Sequence, residues 1–422
     1  MKIIKGTGLE KGFFTYDEPE EISTVKQILH DVRQNGDDAV KRYTLKYDGI
    51  TLRQIKVGLS EIRNAYHKVD NKTISSIKRA AENIKKFAEK QLTQFKDFEL
   101  RIAPGVFAGQ KVIPVERVGI YVPAGRFPLV STLLMCAIPA KVAGVSKISV
   151  CSPPSYKGSI YPAILVASDI VGVREIYKLG GVAAIGAMAY GTQTVKKVDK
   201  IIGPGSKYVA LAKKEVFGTV GIDLIAGPTE IMIIADNAAN PEYLAADLLA
   251  QAEHDIDALP ILITTSIEIA KRVKKAVELQ LQRLETKNIA KFSISKNGRI
   301  ILVNNMAEAV NIANKKAPEH LELQIKNPDR YVDKLKNYGS LFIGSYSAVV
   351  LGDYSSGLNH TLPTNTTARY TGGFSVKDLI KLQTTLRVTK KGLSVVGPIA
   401  KTLSETEGLN GHLKSITVRS KF

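Results

Sequence analysis

Apolar residues recur along this chain with two different periods, and the change between them divides it. From residue 20 to about 95 they return every three or four positions, the spacing of amphipathic helices. EEISTVKQILHDVRQ carries that spacing to a turn at NGD. DAVKRYTLKYDG and SEIRNAYHKV continue it, and KTISSIKRAAENIKKFAEKQL predicts one long helix. From about residue 112 short apolar runs alternate with helical patterns. ERVGIYVPAG, KISVCSPP, EIYKLGG and KIIGPGS read as strands, and STLLMCAIPAKVAGV, YPAILVASDIVGV, AAIGAMAYG and KYVALAKKEVFG as helices. After DLIAGPTEIMIIAD a second α/β series follows, through LPILITTS, RIILVNN, LELQI and SLFIGS. Such repeats imply parallel βαβ units with both sheet faces covered. No long Pro/Ser-rich linker separates the two series, so they are expected to pack closely. The last fifty or so residues, from SVKDLIKLQTTLRVTKKGL, predict a small helical tail. It is too short for a strong core of its own and should dock elsewhere on the chain or on a second subunit.

One helical stretch, LAADLLAQAEHDID (244–257), carries more than packing. Leu244, Ala245, Leu248, Leu249 and Ala252 fall on one arc, and Asp247, Gln251 and His254 on the opposite side. Gln251 and His254 are three apart, so a carbonyl oxygen and an imidazole emerge one above the other and can grip a hard or borderline metal ion. The plainer alternative is a solvated polar face. In the first parallel series, ligands are expected at the carboxyl ends of the strands, where the turns are PAG (123–125), GG (180–181) and GPGS (203–206). They can present N–H groups to a phosphate or simply be tight turns that need glycine. The early GTGLEKG follows no convincing buried strand and is discounted as a nucleotide motif.

Composition narrows the setting. The hydrophobic share of 44% and charged share of 23% in 422 residues are those of a soluble globular protein. No apolar run is long enough for a membrane span, and the N-terminus lacks a signal-peptide core. Cys136 and Cys151 cannot build a disulfide framework or a thiolate zinc site, which fits the cytoplasm. The net charge of +19 comes from lysines spread along the chain, without a dense aromatic-interleaved block. That pattern favours a solvated surface of the kind heat-adapted proteins carry over a nucleic-acid site.

Six histidines remain. His30 and His67 lie in polar helices with no chemical company. His254, His320, His360 and His412 sit beside a carboxylate, an amide or a glycine, in QAEH, PEH, GDYSSGLNH and ETEGLNGH, and point to a shared site. These stretches, with ERVGIYVPAG, GTQTVKKVDKIIGPG, IAGPTEIMIIAD, DLLAQAEHD, APEHLEL and GDYSSGLNHTLPT, closely resemble the histidinol dehydrogenase family. The resemblance runs over essentially the whole chain after about residue 20.

The resemblance implies an α/β fold of two Rossmann-like parallel-sheet domains with a helical N-terminal segment and a small C-terminal helical tail. It implies a division into an N-terminal segment (1–16), a metal and catalytic domain (17–120 and 230–370), an NAD-side domain (121–229) and a C-terminal domain (371–422). The activity implied is oxidation of L-histidinol through L-histidinaldehyde to L-histidine with two NAD+, in a cytoplasmic homodimer without nucleic-acid or membrane partners. One zinc ion per subunit would be held by Gln251, His254, Asp353 and His412, the last from the second subunit. Its main work would be to position the substrate. His320 would be the general base and Glu319 would activate the water that attacks the aldehyde. Both can serve one site only if PEH precedes the strand at LELQI, since neighbours on a strand face opposite ways. Thr229, His360 and Glu407 match substrate positions, alongside the metal ligands and His320.

The cofactor side departs from the family. Tyr121 matches its NAD-contacting tyrosine, but Ala184 stands where a glutamine is expected and Ser206 where an asparagine is. A methyl group cannot replace an amide hydrogen bond, which contributes about 0.5–1.5 kcal/mol. That leaves room for a related zinc- and NAD-dependent dehydrogenase of another small alcohol.

Overall fold

A computed structural model describes residues 1–15, 22–125 and 127–420; the boundary expected at residues 16 and 17 lies outside them. The first parallel series forms a five-stranded sheet from β4 (Arg117–Tyr121), β5 (Lys147–Ser152), β6 (Glu175–Lys178), β7 (Lys200–Ile202) and β8 (Gly221–Ile222). Its order is β6-β5-β4-β7-β8 and every pairing is parallel. The intervening helices are α4 (Val130–Val142), α5 (Pro162–Ile170), α6 (Gly181–Tyr190) and α7 (Lys207–Val216).

The N-terminal helices α1 (Ile22–Asp48), α2 (Leu59–Tyr66) and α3 (Asn71–Leu92) pack on α6, α5 and α4 respectively, which groups residues 22–92 with this sheet. Their apolar stripes explain it: Val25, Ile28, Leu29, Val32, Ala39 and Val40 of α1 share a core with Ala183, Ala184 and Ala187 of α6. The turn expected at NGD is a kink inside α1, where Gly36 has φ 49° and ψ −125°.

The second series forms a six-stranded sheet from β9 (Glu230–Ala235), β10 (Leu259–Thr264), β11 (Arg299–Leu302), β12 (His320–Gln324) and β13 (Ser340–Ile343), joined by β1 (Lys2–Lys5). The order is β1-β11-β10-β9-β12-β13, again all parallel. β1 leads directly into GTGLEKG, so a strand does precede that motif. It is a largely exposed edge strand, which is why its short run of KIIK escapes a periodicity reading. The helices here are α8 (Pro241–Ala252), α9 (Ile267–Arg283), α10 (Lys287–Lys296), α11 (Met306–Lys316), α12 (Asp329–Val332) and α13 (Val349–Tyr354). β9 is buried on both faces: Ile231 and Ile233 join the α8 and α9 core, while Met232 and Ile234 join the α11 side. Each such side chain contributes about 1.5–3 kcal/mol by leaving water, so the start of β9 is a firm anchor for what it carries.

A third, antiparallel sheet has the order β14-β3-β2, with β2 (Phe98–Ala103), β3 (Val106–Pro114) and β14 (Ile380–Val388). The tail is therefore not helical throughout. It enters through β14, paired with β3 over nine residues, and then forms α14 (Lys390–Thr406) and α15 (Asn410–Arg419). Among the described residues no helix is long and apolar enough to cross a membrane.

Candidate active site

The two sheets' sides meet where His360 and Asn359 contact Thr132 and Met135 of α4. The residues expected to do acid–base work, Glu319 and His320, lie where β9 and β12 begin. These strands are neighbours at the point where strand order reverses, with His320 paired to Ile231.

Local sequence sets up this edge. α11 ends at Ala317 in the left-handed conformation, with φ 51°. Pro318 follows, and β12 opens at His320. Glu319 thus sits just before the strand, and its carboxylate can turn toward the same side as His320. Its Oε2 accepts from Thr229 Oγ1 at 2.6 Å and from Glu230 N at 2.8 Å. Thr229 in turn accepts from Gln251 Nε2. Glu230 pairs with Lys316 at 3.1 Å, with both side chains buried.

His320 is buried, with Nδ1 3.0 Å from the Glu230 carbonyl and 3.5 Å from Glu319 Oε2. The carbonyl contact assigns the Nδ1 proton as donor and makes Nε2 the nitrogen that gains and loses a proton. Nε2 lies 3.6 Å from Asp353 Oδ1 and has no hydrogen-bond partner. Burial pulls the imidazole pKa down, but the Glu319 and Asp353 carboxylates outweigh it and hold it well above the ordinary histidine value. Asp353 answers in kind. Burial would raise it, but His320, His360 and His254 hold its carboxyl below the usual range.

Asp353 reaches this place on α13, whose Gly352 lies against the Phe342 ring; a Cβ there would come within 2.6 Å of Phe342 Cε1. His360 closes the site from the other sheet's side. Its Nε2 is 3.0 Å from Thr132 Oγ1 on α4 and its Nδ1 3.2 Å from the Asp353 carbonyl. Asn359 Nδ2 donates to the Met135 carbonyl at 2.7 Å. Burial lowers the His360 pKa, so this imidazole is neutral at pH 7.

The helical reading of 244–257 needs two corrections. α8 stops at Ala252, so His254 belongs to the turn beyond it, its N–H donating to the Gln251 carbonyl at 3.3 Å. The polar side is also not a solvated face: Gln251 is buried, and Asp247 accepts from Gln324 Nε2 at 3.0 Å. His254 itself is exposed. Together Gln251, His254 and Asp353 offer amide oxygen, imidazole and carboxylate, a donor set that fits a borderline divalent cation such as zinc. The thiols of Cys136 and Cys151 are buried and pushed upward by that burial, so they offer no thiolate. Among the described residues no group of three or more His, Cys, Asp or Glu side chains could hold a metal. His412 thus does not join His254 and Asp353 within one chain. It and Glu407 stand exposed on the tail.

On the cofactor side the expected residues are spread out. Tyr121 is buried, its hydroxyl accepting from Gly181 N at 3.1 Å, and burial lifts its pKa to about 12. Ala184 lies wholly inside the α1–α6 core, and Ser206 is exposed just before α7. Of the glycine turns, Gly203 needs its glycine on two counts: its φ is 109°, and a Cβ would fall 2.2 Å from the Tyr121 carbonyl oxygen.

Sequence reasoning passed over Thr132, Asn359, Glu230, Lys316, Glu322 and Gln324. The alternation in HLELQ was the available signal for the last two. A strand there places His320, Glu322 and Gln324 on one face and Leu321 and Leu323 on the other.

The histidinol dehydrogenase family model matches residues 15–420. The histidinol dehydrogenase of Methanocaldococcus jannaschii is 46% identical over 402 residues, covering 95% of this chain and 93% of that protein. That of Clostridium acetobutylicum is 46% identical over 405 residues, covering 96% and 94%. The crystal structure of histidinol dehydrogenase from Elizabethkingia anophelis superposes with a TM-score of 0.92 at 41% identity, covering 97% of this chain and 95% of that one.

Proposed function

The chain belongs to the histidinol dehydrogenase family of oxidoreductases, and from that premise we propose that it oxidises L-histidinol to L-histidine in two NAD+-linked steps. The observation that carries the mechanism is His320: buried, oriented through Nδ1, and presenting Nε2 beside Asp353 with no hydrogen-bond partner. His320 Nε2 removes the hydroxyl proton as the hydride leaves the carbinol carbon, giving the aldehyde. Glu319, next to it, takes a proton from the water that adds to the aldehyde. The resulting hydrate loses its second hydride and ends as the carboxylate. Thr229 orients Glu319, and His360 and Glu407 belong to the substrate pocket.

Gln251, His254, Asp353 and His412 from a second copy would hold one zinc ion per subunit. Bound there, zinc supplies a fixed positive anchor for the substrate's imidazole and amine. A cation on Asp353 would also weaken that carboxylate's hold on the His320 proton, freeing Nε2 to act as a base. The exposed apolar residues Val395, Ile399 and Leu403 along α14 support a homodimer, because they form a stripe at four-residue spacing. We assign the cofactor to the carboxyl edge of the five-stranded sheet, near Tyr121 and Ser206 and apart from Ala184, which the α1–α6 core encloses, and the protein to the cytoplasm.

The test is an absorbance assay with L-histidinol and NAD+, run before chelation, after it, and after zinc restoration. About two NADH per histidinol consumed are expected, with activity lost on chelation and regained with zinc. One NADH per histidinol, or full turnover in chelator, would overturn the proposal.

A further inference from the structure

Behind the base, on the same face of β12, lies a polar group that the chemistry above does not use. Glu322 and Gln324 are each about 1% exposed. Gln324 Nε2 donates at 3.0 Å both to Glu322 Oε2 and to Asp247 Oδ2, which comes from α8. Glu322 is also hydrogen-bonded to Asp247 directly. Its other oxygen, Oε1, accepts from the backbone N–H of Val349 at 3.1 Å. Val349 is the first residue of α13, the helix that delivers Asp353, while α8 delivers Gln251 four residues beyond Asp247 and then His254. One side chain on β12 thus joins the two helices that carry the cation's ligands.

We propose that Glu322 is a positioning residue that fixes the distance between Asp353 and the Gln251–His254 pair by linking Val349 of α13 to Asp247 of α8. This rests on the zinc reading above. Two carboxyl groups in contact inside a core cannot both be ionised without a large penalty. Burial, then the Asp247 carboxylate, raises Glu322 to about 8, while burial raises Asp247 to about 6. At neutral pH Glu322 is therefore the acid, with its O–H directed at the Asp247 carboxylate. It works as a neutral spacer that both donates and accepts, and a glutamine of the same shape can do the same. The α13 end is also seated by Gly352 on Phe342 and by the Val349 side chain in the α8–α9 core.

The readout is zinc affinity of the full-length protein, measured by chelator competition, with KM and kcat for histidinol alongside. Glu322→Ala is expected to weaken zinc binding at least about tenfold, the lower range for losing a partner behind a metal ligand, and to raise KM more than it lowers kcat. Glu322→Gln is expected to stay within about threefold of wild type, because it keeps the bonds to Val349 and Asp247 that join the two helices and gives up only the one accepted from Gln324 on the same strand. The link can also be cut from its other end. Val349→Pro removes the N–H that Glu322 accepts, at a first-turn position where proline is tolerated, and Val349→Ala, which trims the same buried side chain but keeps the N–H, is its control. The preceding Ala348, with φ −60° and ψ 142°, already has the backbone that a following proline requires. The proline variant should lose zinc affinity as Glu322→Ala does, and it decides the matter if Glu322→Ala fails to fold. Wild-type zinc affinity in Val349→Pro or a folded Glu322→Ala would overturn the inference alone. So would a Glu322→Gln variant as impaired as the alanine one. A wild-type protein that takes up no zinc would overturn both this inference and the reading beneath it.

Discussion

His320 has its two ring nitrogens in different surroundings. Nδ1 is held by the Glu230 carbonyl on a fully buried strand, while Nε2 lies 3.6 Å from Asp353 Oδ1 with no hydrogen-bond partner. Replacing it removes proton transfer but none of the proposed ligands. His320→Ala should therefore lower turnover at least about 100-fold, the scale of a lost general base, while zinc content measured by atomic absorption stays near one per chain. Zinc loss with little kinetic change would instead make His320 a ligand. Residues of this kind were partly legible. PEH and QAEH announced themselves because a carboxylate and an amide stood beside histidine. Thr132 and Asn359 did not, because nothing local distinguishes a hydroxyl or amide that finds its partner more than 200 residues away.

At the scale of strands and helices, most of the parallel architecture followed from apolar runs bounded by glycine and proline turns. β4 to β7 and β9 to β13 appear where those runs lie. What escaped were elements whose neighbours decide their form. β2 and β14 carry exposed side chains along most of their length and are strands because β3 lies between them. The end of α8 was read five residues too long, because HDID continues a helical pattern while the backbone has already turned. The link between α8 and β12 also makes stability depend on pH. Glu322 and Asp247 bind their protons more tightly folded than unfolded, at about 8 and about 6. That stabilisation is complete below the unfolded carboxyl range and is lost as pH rises through those values. Between pH 6 and 9 the melting temperature of the zinc-free wild type should fall relative to Glu322→Gln, which has no proton there to lose. Calorimetric curves that run parallel would contradict this.

For the whole molecule, the tail decides whether a single chain is enough. Glu407 and His412 are exposed on it, and the apolar stripe of α14 is uncovered. If His412 completes the neighbour's site, two inactive variants should rescue each other. His320→Ala and His412→Ala, unfolded and refolded together, form mixed dimers in which one site has its own His320 and the neighbour's His412. Random pairing then restores about one quarter of wild-type activity, measured by NADH production, whereas a site built within one chain would stay dead at every mixing ratio. A different consequence follows from the base being the opening residue of β12. Side chains on a strand alternate, so pairing β12 with β9 one step out of register would turn His320 to the opposite face and bring Leu321 into its place. Misfolded molecules of that kind would be inert rather than sluggish. The specific activity of a preparation would then count its correctly assembled molecules, much as an active-site titration does.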